Sequence, residues 1–284
     1  MLVGEKLIYL QLQKTGSTRI TDLIQATVGA EERHKHDRIR RVDLADPEIA
    51  ARRIIGSIRS PWSYYVSLWA YGSRRAGGIY ERTTASPRMD QPKALRGTLQ
   101  KKTIPFEDRD PQARKRVEKW RTAYGKPDDR KAFRRWIRLL NDPEHLVDVG
   151  EGYGKSSMAA HAGLLTYRYL TLFTLGVVPG EPHLGGHNPT LDTFDRVVAH
   201  VDEHLLCKDM IRMEHLAVEL EAAMVAAGYD LTDEQRARLH GKAEGRSENR
   251  TNHHPAAWYY DRSTRKLVAQ RDRLVIERHG YEFG

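Results

Sequence analysis

The chain has 284 residues, 30% of them charged and 8% aromatic, with a formal net charge of +9 and a pI near 9.6. That length allows one large α/β domain or two small ones, and that composition excludes a disordered chain. The single cysteine, Cys207, excludes an internal disulfide framework and any multi-cysteine metal site, and no apolar run is long enough to span a membrane.

The excess of cations predicts affinity for something anionic: a nucleotide, an acidic glycan, nucleic acid or a membrane surface. The chain opens almost directly on a strand, with no room for a signal peptide, so a cytoplasmic, reducing setting is expected. Residues 7–28 read LIYLQLQKTGSTRITDLIQATV. Leu7, Ile8, Tyr9, Leu10 and Leu12 form an apolar run suited to a buried strand. Ile20, Leu23, Ile24 and Val28 then recur at helical spacing. The segment therefore reads strand, tight turn, helix. Gly16 permits the turn and lets a ligand approach the backbone. Ser17 and Thr18 stand where a helix N-terminus offers unpaired N–H groups. Lys14 adds a full charge beside them. These parts make an anion site, the alternative being a capped helix with a solvated lysine.

A polar stretch with His34, Lys35 and His36 follows. Asp46-Pro47 opens a short helix. Residues 54–58 are a second buried strand, ending at Arg59, and Pro61 starts a helix with Trp62, Tyr65, Val66 and Trp69. Arg59 and Lys14 thus both lie at carboxyl ends of strands, the edge where open α/β sheets bind ligands. Strand–helix alternation argues for a parallel sheet covered on both faces. Residues 72–126 are rich in Arg, Lys, Gly, Pro and Ser, and read as a basic insertion of mobile loops with one helix near 112–124. Further helices are expected over 128–140, over 156–175 with a break at Gly163, over 214–227 and over 264–279. A strand is expected within 205–213, and loops over 176–189 and 241–255. The chain reads as one domain, 1–284.

Two motifs together are more specific than either alone. QKTGST, residues 13–18, resembles the strand–loop–helix that cradles the 5′-phosphosulfate in sulfotransferases using 3′-phosphoadenosine 5′-phosphosulfate (PAPS). RSPWSYYVS, residues 59–67, resembles that family's Arg-x-Pro segment with a following helical serine, which holds the 3′-phosphate. Residues 209–224 and 249–283 also resemble segments of its glycan-modifying and bacterial branches. Gln13 stands where the family usually has proline, and Tyr64 where an arginine is frequent. The resemblance implies a P-loop-like parallel sheet flanked by helices and sulfuryl transfer to a hydroxyl. Lys14, Thr15, Gly16, Ser17 and Thr18 would bind the phosphosulfate, with Lys14 neutralising the leaving group. Arg59 and Ser67 would hold the 3′-phosphate. PAPS is the expected co-substrate, with no metal required.

The acceptor hydroxyl needs a base. His36 is the first candidate, with His187 in reserve and Glu214 behind it. His253-His254 reads as a cofactor lid. Trp62 and Trp258 are candidates for stacking on the adenine. The basic insertion suggests an anionic glycan as acceptor. Two other readings remain open. Residues 150–156, GEGYGKS after the apolar HLVDV, resemble a kinase or NTPase P-loop, though the first glycine is one residue too close. The Arg/Lys-rich insertion raises nucleic-acid binding, but no recognised nucleic-acid motif accompanies it.

Overall fold

The computed structural model describes residues 1–84, 111–178, 189–241 and 253–284. The strands are β1 Leu2–Gly4, β2 Leu7–Leu10, β3 Ala30–Glu32, β4 Arg53–Ile58 and β5 Asp209–Arg212, in the sheet order β3-β1-β2-β4-β5. β2, β4 and β5 run parallel, with Leu7 opposite Arg53 and Ile55 opposite Asp209. β1 and β3 are antiparallel to their neighbours. The sheet is therefore mixed, which corrects the expectation of a parallel one. The central parallel pair carries the long apolar runs: all four residues of β2 are buried, and five of the six in β4.

The helices are α1 Ser17–Val28, α2 Pro47–Ala50, α3 Pro61–Gly72, α4 Gly78–Thr84, α5 Pro111–Ala123, α6 Arg130–Leu140, α7 Leu164–Phe173, α8 Phe194–His204, α9 Leu216–Ala226, α10 Asp233–His240, α11 Ala256–Tyr259, α12 Arg262–Arg271 and α13 Arg273–His279. None is long and apolar enough to cross a membrane among the described residues. Alternate side chains of the parallel strands enter two separate cores, as the period of a strand requires. Leu7, Tyr9, Ile55 and Ile211 meet Ile20 and Ile24 of α1 and Leu216, Leu220 and Met224 of α9. Ile8, Leu10, Ile54 and Ile58 meet a larger cluster built on α3, α6 and α7. The result is an α/β molecule with helices on both faces of the sheet.

The expected insertion is not an appendage at its described ends. Ile79 of α4 and Val117, Trp120 and Ala123 of α5 are buried. Trp69 of α3 donates its indole N–H to Ala123 O at 2.9 Å, and Trp120 donates to Asp148 Oδ2 at 3.0 Å. Residues 85–110 lie outside the described part.

The helix expected over 264–279 is broken at Asp272. That carboxylate, fully buried, caps α7 from outside: it accepts from Thr166 N–H and Thr166 Oγ1 at 2.9 and 2.8 Å, and from the Tyr65 hydroxyl at 2.6 Å. A Cβ on Gly163 would strike the same carboxylate. Periodicity alone cannot show such a break, because the contact comes from about a hundred residues away.

At the end of α13, His279 Nε2 is buried with no hydrogen-bond partner among the described residues. Burial first, then the charges of Arg278 and Arg212, lower its pKa to about 4. Between pH 6.5 and 4 the unfolded chain therefore binds a proton that the folded chain refuses, and stability rises with pH across that window. Thermal unfolding followed from pH 4 to 7 should show this slope, and His279→Phe should flatten it. An equally steep slope in the variant would refute the assignment.

Candidate functional site

The turn between β2 and α1 is pinned from inside. The Tyr9 hydroxyl donates to Ser57 Oγ at 2.7 Å, Ser57 to Thr15 Oγ1 at 2.7 Å, and Thr15 to Leu12 O at 2.8 Å. All three hydroxyl-bearing side chains are fully buried. This relay ties the turn to β4. It also consumes the Thr15 hydroxyl, so only the backbone N–H of Thr15 is left for a ligand. Gly16 has φ +79, and a Cβ there would collide with the Met213 side chain. Glycine is required on both counts. Lys14 also lies in the left-handed region, at φ 64, a strain that persists where surrounding structure imposes it.

Gly16 is the N-cap of α1. Among the described residues no side chain caps that end, and no acidic residue stands in its first turn. The leading N–H groups, including those of Ser17 and Thr18, have no intrahelical acceptor, and the positive dipole end is uncompensated. The Ser17 side chain is buried and that of Thr18 exposed.

Lys14 turns its ammonium onto the face of Tyr71, 4.0 Å from the ring centroid. Burial first, then the charges of Arg59 and Arg74, lower its pKa to about 8. Lys14 and Arg59, from two different strand ends, thus share one electrostatic field. Among the described residues neither forms a hydrogen bond or an ion pair. Burial lowers the Arg59 pKa, while Glu214 and Tyr281 work the other way. Ser67 and Tyr71 are four residues apart on α3, hence on one helix face, the face that Lys14 touches. No hydrogen bond joins Ser67 to Arg59 among the described residues.

His253 belongs to the same field. Burial first lowers its pKa, and the charges of Arg59 and Lys14 add to this. His253, with His254, is the expected cofactor lid; the sequence motifs do not connect Tyr71 or Arg74 to Lys14. Tyr71 was within reach of helical spacing from Ser67. His254 stacks on Trp258 with ring centroids 4.2 Å apart, whereas Trp62 is held in the core, its N–H on Arg265 O at 3.2 Å and its ring against Phe283. Glu214 is occupied structurally: its carboxylate accepts from the Ser60 N–H at the start of α3 (3.0 Å) and from the Tyr281 hydroxyl (3.3 Å).

His36 lies apart from this cluster. It lines a hollow of about 320 Å³ with Gln13, Asp37, Glu151, Tyr167 and Leu172 among its walls. Its Nδ1–H donates to Gln11 O at 2.7 Å, which leaves the Nε2 lone pair free of that bond. Burial first, then Lys35, Arg168 and the chain terminus, lower its pKa. The ring is neutral at pH 7. Gln13 borders the hollow on one side and precedes Lys14 on the other, so the two places adjoin through the turn. His187 lies outside the described residues.

The hollow rests on an ion pair between buried Arg168 and half-buried Glu151. Arg168, in a helix whose ten residues are all buried, donates Nε to Glu151 Oε2 at 2.8 Å, Nη2 to Glu151 Oε1 at 2.6 Å and Nη1 to the Tyr64 hydroxyl at 2.7 Å. Tyr64, standing where the resembled family often has arginine, thus accepts from an arginine of another helix. Glu151 belongs to the P-loop-like GEGYGKS. That segment lies between the 3-10 turns Leu146–Val149 and Ser157–Ala160, not between a strand and an α-helix. Its nucleotide-cradling reading therefore lacks the required frame. No group of three or more potential metal ligands occurs among the described residues.

Set against family models, curated proteins and solved structures, the chain finds no match in any of the three comparisons.

Proposed function

We propose that the chain is a sulfotransferase that moves the sulfuryl group of PAPS to an acceptor hydroxyl. The observation that carries this reading is the convergence of Lys14 and Arg59 on one field beside the uncapped start of α1. The residues fit a doubly anionic nucleotide. The α1 amides and Lys14 would hold the phosphosulfate end, and Arg59, with Ser67 on the adjoining helix, the 3′-phosphate. The bond from sulfur to the bridging phosphate oxygen breaks as the acceptor oxygen attacks. Lys14 neutralises the charge that grows on that bridging oxygen. His36 Nε2 takes the acceptor proton.

The ammonium of Lys14 adds a pH signature. Above about pH 8 the free protein loses this charge, so affinity for 3′-phosphoadenosine 5′-phosphate (PAP) should fall about tenfold per pH unit until the ligand-bound pKa is reached. Calorimetric titration with PAP, without Mg²⁺, at pH 7 and 9 tests this. Binding at pH 9 should be about tenfold weaker and accompanied by proton uptake. Arg59→Ala should weaken binding by about 10- to 100-fold at pH 7, as loss of a charge-assisted contact implies. Absence of PAP binding, or preference for Mg·ATP, would overturn the proposal.

A further inference from the structure

We propose that Tyr71 is a positioning residue: its ring face holds the Lys14 ammonium in place, and charged, for an incoming anion. The catalytic meaning of that role rests on the sulfotransferase reading. A lysine side chain is flexible, and its charge helps a transferring group only where something fixes it beforehand. The cations that face Lys14 repel it: Arg59 just after β4 and Arg74 just after α3. His253, whose pKa burial lowers, is neutral at pH 7. Among the described residues no carboxylate pairs with Lys14. What attracts the ammonium is the negative face of Tyr71, with the ring centroid 4.0 Å away, well inside the reach of about 6 Å for such contacts.

Both partners are held. Tyr71 is the last residue but one of α3. That end of the helix is packed, with Gly72 against Tyr124 and the Trp69 indole N–H on Ala123 O. Gly77, at φ +94, comes so close that a Cβ there would lie 2.9 Å from Tyr71 Cδ1 and Cε1. Lys14, at φ 64, stands two residues before the N-cap Gly16, in the turn that Ser57 and Thr15 pin to β4. The contact therefore joins two fixed parts, the β2–α1 turn and the end of α3. The face of α3 that carries Tyr71 also carries Ser67, so one helix would set both ends of the nucleotide.

The ring acts on Lys14 in two opposed ways. Its bulk withdraws the ammonium from water, which favours the neutral amine; its face stabilises the charge. Tyr71→Leu keeps most of the bulk and removes the face. The protonation equilibrium should then shift roughly 2- to 30-fold towards the neutral amine. The Lys14 pKa, about 8 with Tyr71 in place, should fall towards about 7. Tyr71→Phe keeps the face and should leave it where it is.

The dependence of kcat/KM for PAPS on pH reports the free protein. The wild type and Tyr71→Phe should lose activity above about pH 8. Tyr71→Leu should lose it about one pH unit lower, with kcat at pH 7 reduced about three- to tenfold and acceptor KM unchanged. Tyr71→Met, apolar and flexible, repeats the test should Leu not fold. A second readout needs no activity. The lysines are reductively methylated with carbon-13 formaldehyde and titrated by NMR in the ligand-free protein, the Lys14 signal being the one missing from Lys14→Met. It should titrate lower in Tyr71→Leu and unchanged in Tyr71→Phe. A Lys14 titration that stays put or moves upward in Leu and Met, or that moves equally in Phe, would overturn the proposal, since a ring that only fills space predicts those results. The expected titration shift in a protein that transfers no sulfuryl group would leave the role of Tyr71 standing and remove the sulfotransferase reading instead.

Discussion

Lys14→Met should lower kcat for sulfuryl transfer by about 10²- to 10³-fold, the loss of roughly 3–4 kcal/mol typical when one preorganised charge-stabilising donor is removed. Acceptor KM should change little, because the hollow around His36 does not include the Lys14 side chain. The size of the effect follows from where the ammonium is held. It lies against Tyr71 and is partly withdrawn from water, so its interaction with a growing negative charge is weakly screened. The methylene stem of Met keeps the contact with Tyr71 while removing the charge. Lys14→Gly provides the contrast. At φ 64 glycine relieves about 1 kcal/mol or more of backbone strain, so this variant should unfold at the same or a higher temperature and yet be as inactive as Met. Turnover with labelled PAPS and thermal unfolding, measured on both variants, decide the matter. A drop in kcat of less than tenfold would remove Lys14 from the chemistry.

The two segments that position this charge were readable because each carries its signal locally. Leu7–Leu10 and Arg53–Ile58 are apolar and bounded by turn residues, and Pro61 marks the start of the helix that follows. β1 and β3 were not readable: each has three residues, and β3 is Ala30-Glu31-Glu32. Short strands of that kind form because a neighbour offers a partner, β2 for β1 and β1 for β3, not because of their own pattern. The mixed character of the sheet was hidden for the same reason. α8 was missed because only Val197, His200 and Val201 are buried on it, too few to stand out as a stripe. The places of Lys14 and Arg59 at strand ends, and of His36 after the first helix, could be read from the chain; that they form a site is the proposal. The neighbours that set their chemistry could not be read. Arg74 acts on Lys14 through space, and no motif marks it. The hollow depends on a charge pair of which one member, Glu151, lies in a segment whose letters suggest a nucleotide loop.

That pair gives the largest expected effect on stability. Glu151→Ala should cost roughly 3–5 kcal/mol, because it leaves the Arg168 charge buried with only the Tyr64 hydroxyl as partner. Against a total of about 5–15 kcal/mol for a typical domain, this is a large fraction, and the melting temperature should fall by roughly 5–15 °C. Burial by itself would raise the Glu151 pKa, yet the guanidiniums of Arg168 and Arg82 hold it below the usual carboxylate range. The carboxylate is therefore charged at neutral pH and matched to its partner. Its backbone supports the same conclusion. Glu151 has φ 59, between Gly150 at φ 74 and Gly152 at φ 80, a conformation that a non-glycine residue adopts at a cost. The fold accepts that cost to bring the carboxylate onto Arg168. Glu151→Gly, which relieves the strain but removes the carboxylate, should thus destabilise nearly as much as Ala. The double variant Glu151→Leu/Arg168→Met should recover most of the loss, since an apolar pair of similar volume needs no compensation for buried charge. Denaturant unfolding of the single and double variants measures the coupling directly. If the effects of Glu151→Leu and Arg168→Met simply add, the two side chains do not depend on each other and the hollow has some other support.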